Sequence, residues 1–129
     1  MRLLVDTHCW LWMSVAPERI ARNALRYLTK DQNELLLSAA SVWEIVIKYS
    51  LGKLTLPVAP SELVPQLMTD TRTYPLAIQH NHAFRVGQLP LHHKDPFDRL
   101  LIAQAQVESI PIVSHDPIFR RYNVKVISA

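Results

Sequence analysis

Short aliphatic runs, apolar at every position and separated by helix-length stretches, constrain this chain more than any other feature. Leu3-Leu4-Val5, Leu35-Leu36-Leu37 and Ile112-Val113 are the clearest. A strand that faces water on one side alternates polar with apolar residues, whereas a run that is apolar throughout is covered on both faces. Alternation with helical segments then predicts an α/β fold, with a parallel sheet of about five strands between helices. At 129 residues and 49% hydrophobic content, the chain suits one domain spanning 1–129 with a single core.

The helices are read from periodicity and from their ends. A first short helix is predicted over 8–13. Pro17 suits the first position of a second one over 17–30, where Arg19, Arg22, Arg26 and Lys30 form a basic stripe opposite Ile20, Ala24, Leu25 and Leu28. Ser38 can cap a helix that Gly52 stops. Further helices are expected over 61–69, where Pro65 interrupts or starts the segment, and over 79–86. Asp95 as cap and Pro96 as first residue open another over 97–107. The remaining strands are predicted at 73–77, 111–114 and 124–127, with a loop at 87–94.

Composition excludes several classes. Two glycines, Gly52 and Gly87, leave no glycine-rich phosphate loop and no dinucleotide fingerprint. One cysteine, Cys9, allows no internal disulfide, and neither a signal peptide nor an apolar run approaching ~20 residues is seen. The expected address is the cytoplasm, away from membranes. A net charge of +3 and a pI of about 9.2 are compatible with a polyanionic partner without requiring one.

Four acidic residues stand where this fold would bring them together. Asp6 and Asp116 follow predicted strands directly. Asp98 lies in the first turn of its helix and Glu44 in the second turn after Ser38. In open parallel sheets, sites form beyond the carboxyl ends of the strands, and helices return antiparallel, so all four belong at one edge. Two carboxylates ~4 Å apart repel by about 4 kcal/mol at an effective dielectric of 20, and bound cations relieve such a cluster. An all-oxygen site favours Mg²⁺ or Mn²⁺, and one or two such ions suit phosphodiester hydrolysis by lowering the pKa of the attacking water and stabilising the leaving oxygen.

The same residues carry a family likeness over nearly the whole chain. Leu-Leu-Val-Asp6-Thr7, Ser38-Ala-Ala-Ser41-Val-Trp-Glu44-Ile, Asp95-Pro-Phe-Asp98-Arg-Leu-Leu-Ile-Ala-Gln-Ala105 and Ile112-Val-Ser114-His-Asp116 resemble the PIN-domain ribonucleases, in particular the VapC-type toxins of toxin-antitoxin pairs. The resemblance implies a three-layer α/β/α fold and an Mg²⁺- or Mn²⁺-dependent endoribonuclease that leaves 3′-hydroxyl and 5′-phosphate ends. Asp6, Glu44, Asp98 and Asp116 would be the catalytic, metal-binding quartet, with tRNA or rRNA as substrates. Thr7 and Ser114 would shape the site, hydrogen-bonding carboxylates or water. A small antitoxin and a homodimer are implied as partners.

Each signal has a plainer counterpart. Asp6, Asp95 and Asp116 can be helix caps, and Ser41 with Glu44 fits a capping box. Asp95 is read as a cap or outer member of the site beside Asp98, and Arg99 could pair with a carboxylate or touch phosphate. The Arg19-to-Lys30 stripe is read as a solvated face. His80, His82, His92 and His93 fit no zinc spacing and are expected in loops or on the surface. Trp10, Trp12 and Trp43 are expected in the core. Two rival functions are a non-catalytic RNA- or antitoxin-binding module and a phosphatase with Asp6 as nucleophile. The second usually places an acid two residues on, where this chain has His8.

Overall fold

A computed structural model of the chain describes residues 1–129. The strands are β1 (Arg2–Val5), β2 (Glu34–Ser38), β3 (Thr73–Leu76), β4 (Ile112–Ser114) and β5 (Val126–Ser128). All neighbours pair in parallel, in the order β3-β2-β1-β4-β5. The helices are α1 (Thr7–Val15), α2 (Arg22–Leu28), α3 (Ala39–Ser50), α4 (Pro60–Thr71), α5 (His80–Val86) and α6 (Pro96–Glu108), with 3-10 turns at Pro17–Arg19 and Pro117–Arg121. No helix is long and apolar enough to cross a membrane.

The uninterrupted runs are explained by two cores, one on each face of the sheet. Leu3, Val5, Leu35, Leu37, Val113 and Ile127 point into the first, against Cys9, Trp10, Ala24, Leu28, Val64 and Leu67 from α1, α2 and α4. Leu4, Leu36, Leu76 and Ile112 point into the second, against Leu101, Ile102 and Ala105 of α6 with Phe119 and Tyr122. Successive strand residues thus serve opposite layers. α3 bridges the two, with Ala40 in the second core and Ile45 in the first. The three-layer α/β/α architecture matches the expectation.

Two elements differ from the sequence reading. The helix expected over 17–30 breaks, because Ile20 adopts an extended conformation (φ −95°, ψ 132°) and is buried in the first core. Burying Ile20 overrides the helical periodicity, and the basic stripe dissolves with it. Arg19 lies 4.8 Å over the Trp12 ring, and Lys30 falls beyond the end of α2. α4 begins earlier than expected, with Pro60 in its first turn, and runs through Pro65. The carbonyl that Pro65 leaves without an N–H partner belongs to Ser61, an exposed residue that water can serve. At the sheet edge, β3 is half exposed and holds Pro75, which an edge strand accommodates.

The topology places the site. From β1 the chain adds β2 and β3 on one side, then crosses to lay β4 and β5 on the other. The point of reversal lies between β1 and β4, the natural crevice of an open parallel sheet. Asp6 and Asp116 leave these two strands. α3 and α6 begin at the same edge and are tied by Ser38, whose Oγ donates to Gln104 Oε1 and accepts from Ala40 N at 3.0 Å. Both Ser38 and Gln104 are fully buried. Ser38→Ala removes the α3 cap and strands the Gln104 oxygen, so it should lower unfolding free energy by about 2–3 kcal/mol in urea titration. A change under about 0.5 kcal/mol would mean that the tie carries no stability.

Candidate functional site

Glu44 and Asp98 are held at the acidic edge by different partners, and the charge of Glu44 acts on Asp98. Glu44 is 2% exposed, and its Oε2 accepts a 2.6 Å hydrogen bond from Lys48 Nζ one helical turn on. Its other oxygen, Oε1, is buried with no hydrogen-bond partner. Burial works against the charge on Lys48, but the hydrogen bond and charge of Glu44, joined by Asp95 and Asp98, hold the ammonium above its ordinary range. A buried carboxylate oxygen with no donor is a group that a cation would suit.

Asp98 is fixed at both ends. Its backbone N–H donates to Asp95 Oδ1 at 3.0 Å, so Asp95 caps α6. Its Oδ2 lies 2.8 Å from His93 Nε2. Burial pushes the Asp98 carboxyl up to about 7; the His93 hydrogen bond pulls it down, and the charges of Asp95 and Glu44 push it further up. Asp116 Oδ1 caps the turn after β4 by accepting from Ile118 N at 3.0 Å. His93, Asp98 and Asp116 place one potential ligand atom each within 4.8 Å of one another.

Asp6 is 4% exposed and accepts at Oδ1 from Cys9 N at 2.8 Å, as the cap of α1. Its immediate ligand group is Cys9 and His115. Burial, reinforced by the Asp6 carboxylate, pushes the Cys9 thiol well above its ordinary range, which makes it a poor metal donor. The four expected acids therefore share one edge but fall into parts: Asp98 and Asp116 with His93, Asp6 with Cys9 and His115, and Glu44 linked to Asp98 through its charge.

The supporting residues depart from expectation in informative ways. Thr7 Oγ1 donates to Ser41 Oγ at 2.8 Å, and Ser114 Oγ accepts from the Asp116 backbone at 3.1 Å. Thr7 thereby ties the start of α1 to α3, and Ser114 braces the turn that leads to Asp116, and neither hydroxyl meets a carboxylate. Arg99 meets no carboxylate. Its guanidinium donates to the carbonyls of Val86, Pro90 and His93, at 3.0 to 3.3 Å, and reaches Tyr122 Oη at 3.4 Å. It clamps the loop between α5 and α6.

Three histidine and tryptophan expectations change. His82 is buried at 1% exposure: Nδ1 accepts from Gln79 N, which leaves Nε2 to donate to Glu108 at 3.0 Å. His93 faces the acids. Trp43 is 57% exposed with its ring edge-on to Phe97 at 5.2 Å, whereas Trp10 is buried as expected and Trp12 partly so. Lys48 is a partner that the sequence reading did not name, and His93 lies in a loop as expected but turns toward Asp98. Lys48 was detectable as the i+4 partner of Glu44, while His93 depends on a loop path that periodicity does not encode. A cleft of about 720 Å³ lies at the amino ends of β4 and β5 and is lined in part by Arg85, Arg121 and Lys125, at the opposite edge from the acids.

The PIN domain family model matches residues 3–125, and the chain belongs to the PIN-domain family. Over 63 residues it is 46% identical to Ribonuclease VapC16 of Mycobacterium tuberculosis; the match takes in 48% of this chain and 45% of that relative, so the chain spans less than half the length of the curated protein it matches. Among solved structures, VapBC2 of Rickettsia felis, bound to a DNA fragment from their promoter, superposes with a TM-score of 0.74 at 17% identity, covering 100% of this chain and 99% of that one. VapBC-1 of nontypeable Haemophilus influenzae gives 0.69 at 14% identity, over 99% and 98%. At these identities the likeness is one of fold.

The raised Asp98 carboxyl has a consequence for stability. Folded Asp98 keeps its proton up to about 7 while the unfolded group releases it near 3.8, so between these values the native state binds more protons and stability falls as pH rises. In EDTA, urea midpoints should decline across that window, and Asp98→Asn should flatten the decline. Equal slopes in the two proteins would mean that Asp98 ionises freely when folded.

Proposed function

We propose that this chain is a metal-dependent endoribonuclease, with residues 1–129 as one nuclease domain, and that it acts as the toxin of a toxin-antitoxin pair. The observation that carries the reading is the buried, unpartnered Glu44 Oε1 at the edge shared with Asp98, Asp116 and Asp6. Family membership supports it, as do the ribonuclease name of the mycobacterial relative and the VapBC complexes among structural neighbours.

Asp6, Glu44, Asp98 and Asp116 would hold one or two Mg²⁺ or Mn²⁺ ions, the choice their oxygen-rich donor set favours. When bound, such an ion supplies a lowered pKa for water and neutralises charge developing on phosphate oxygens. The chain's own part is positioning. Lys48 turns Glu44 so that one oxygen remains available, Asp95 fixes the start of α6 and with it Asp98, and Ser114 sets the turn that presents Asp116. The net charge of +3 suits a polyanionic RNA such as tRNA or rRNA. A small antitoxin partner, a homodimer and a cytoplasmic location complete the proposal. The phosphatase alternative is disfavoured because the acid that such chemistry places two residues after the nucleophile is absent, position 8 being His8.

Incubating purified protein with mixed tRNA and rRNA, in Mg²⁺, Mn²⁺ or EDTA, tests the chemistry. Wild type should cut in either metal, leaving 5′-phosphate ends, and not in EDTA. Asp98→Asn should lose at least about a hundredfold in rate, in line with the loss of a preorganised charge at a reaction centre. RNA bound tightly but left intact in every condition would favour the non-catalytic binding module instead.

A further inference from the structure

Outside the acidic quartet, one side chain is built into the same edge with the chemistry of a metal ligand. His93 Nε2 lies 2.8 Å from Asp98 Oδ2, and the two share a 4.8 Å neighbourhood with an Asp116 oxygen. Adjacent ligands around an octahedral ion bonded at about 2.1 Å stand about 3 Å apart, so the His93–Asp98 pair is already spaced to bind one ion.

The imidazole is held there by a dedicated frame. His93 N donates to Tyr122 Oη at 2.8 Å, and its carbonyl accepts from Arg99 Nη1 at 3.3 Å. Its ring meets the buried Phe119 ring edge-on at 6.3 Å. Tyr122 Oη also accepts from His92 N at 3.0 Å, and Arg99 grips Pro90 and Val86, so the whole loop before α6 is fastened at its base. A second sign that a cation belongs at this edge is Glu44 Oε1, buried without a partner on α3, where the neighbouring Trp43 ring meets Phe97 of the first turn of α6 at 5.2 Å.

We propose that His93 is a nitrogen ligand of the divalent ion at Asp98 and Asp116, and that it tilts the site from Mg²⁺ toward Mn²⁺. This rests on the metal-dependent reading above. Imidazole nitrogen suits transition metals, whereas Mg²⁺ prefers oxygen and sheds water reluctantly. The ligand set therefore joins hard carboxylates with one borderline donor.

The test uses the full chain loaded with Mn²⁺ and pulsed electron paramagnetic resonance, which detects a coordinated ¹⁴N directly, beside calorimetric titration with Mn²⁺ and with Mg²⁺. Wild type should show ¹⁴N coupling, and His93→Gln should lose it, with the Mn²⁺-over-Mg²⁺ preference falling about tenfold or more. His115→Gln should keep the coupling, which separates His93 from the imidazole beside Asp6. Coupling retained in His93→Gln, or absent from Mn²⁺-loaded wild type, would overturn His93 ligation. The wild-type spectrum decides this even where the variant fails to fold. Mn²⁺ binding lost in Asp98→Asn but unchanged in His93→Gln would overturn the nitrogen ligand and leave the carboxylate site standing, whereas no Mn²⁺ binding by wild type would overturn both.

Discussion

Concentrating negative charge at a buried edge is the constraint around which this molecule is arranged. Carboxylates lose hydration there and repel one another, and a fold that gathers them must supply donors or cations. The chain supplies partners one at a time: the Lys48 ammonium donates to Glu44, the Cys9 amide to Asp6 and the Ile118 amide to Asp116, and the His93 imidazole shares a hydrogen bond with Asp98. Three of these acids cap or begin a helical element, so the positive end of that element offsets part of the repulsion. What remains unsatisfied is confined to Glu44 Oε1.

Capping and the proposed metal binding, which look like competing explanations of the same acids in a linear reading, are compatible in space. Asp6 and Asp116 each use one oxygen, Oδ1, for a backbone amide. A carboxylate has two oxygens and about four lone-pair sites, so the group that fastens a helix start can still offer a second face. The helix ends thus hold the carboxylates in place, and α6 gains rigidity from Asp95 and keeps Asp98 free of that duty.

Much of this was legible because local and tertiary demands agree. Leu35-Leu36-Leu37 reads as a doubly covered strand because its residues do alternate between two apolar layers. Asp95-Pro96 marks the start of α6 because the cap and the proline ring act within one turn. The failures arise where distant packing decides. Nothing local tells Ile20 to leave a helix for the core, and nothing in the spacing of His93 shows that Tyr122, twenty-nine residues on, will receive its amide. Arg99 is similar: an arginine next to an aspartate invites an ion pair, yet the carbonyls of Pro90 and His93 in the loop and of Val86 at the end of α5 claim it.

The two borders of the sheet have a consequence for how this chain meets others of its kind. On one side Pro75 interrupts the row of amides on β3, and on the other β5 is only three residues long. A border without a continuous ladder of donors and acceptors cannot template a further strand. Fibrous stacking through the backbone is thereby discouraged at both margins.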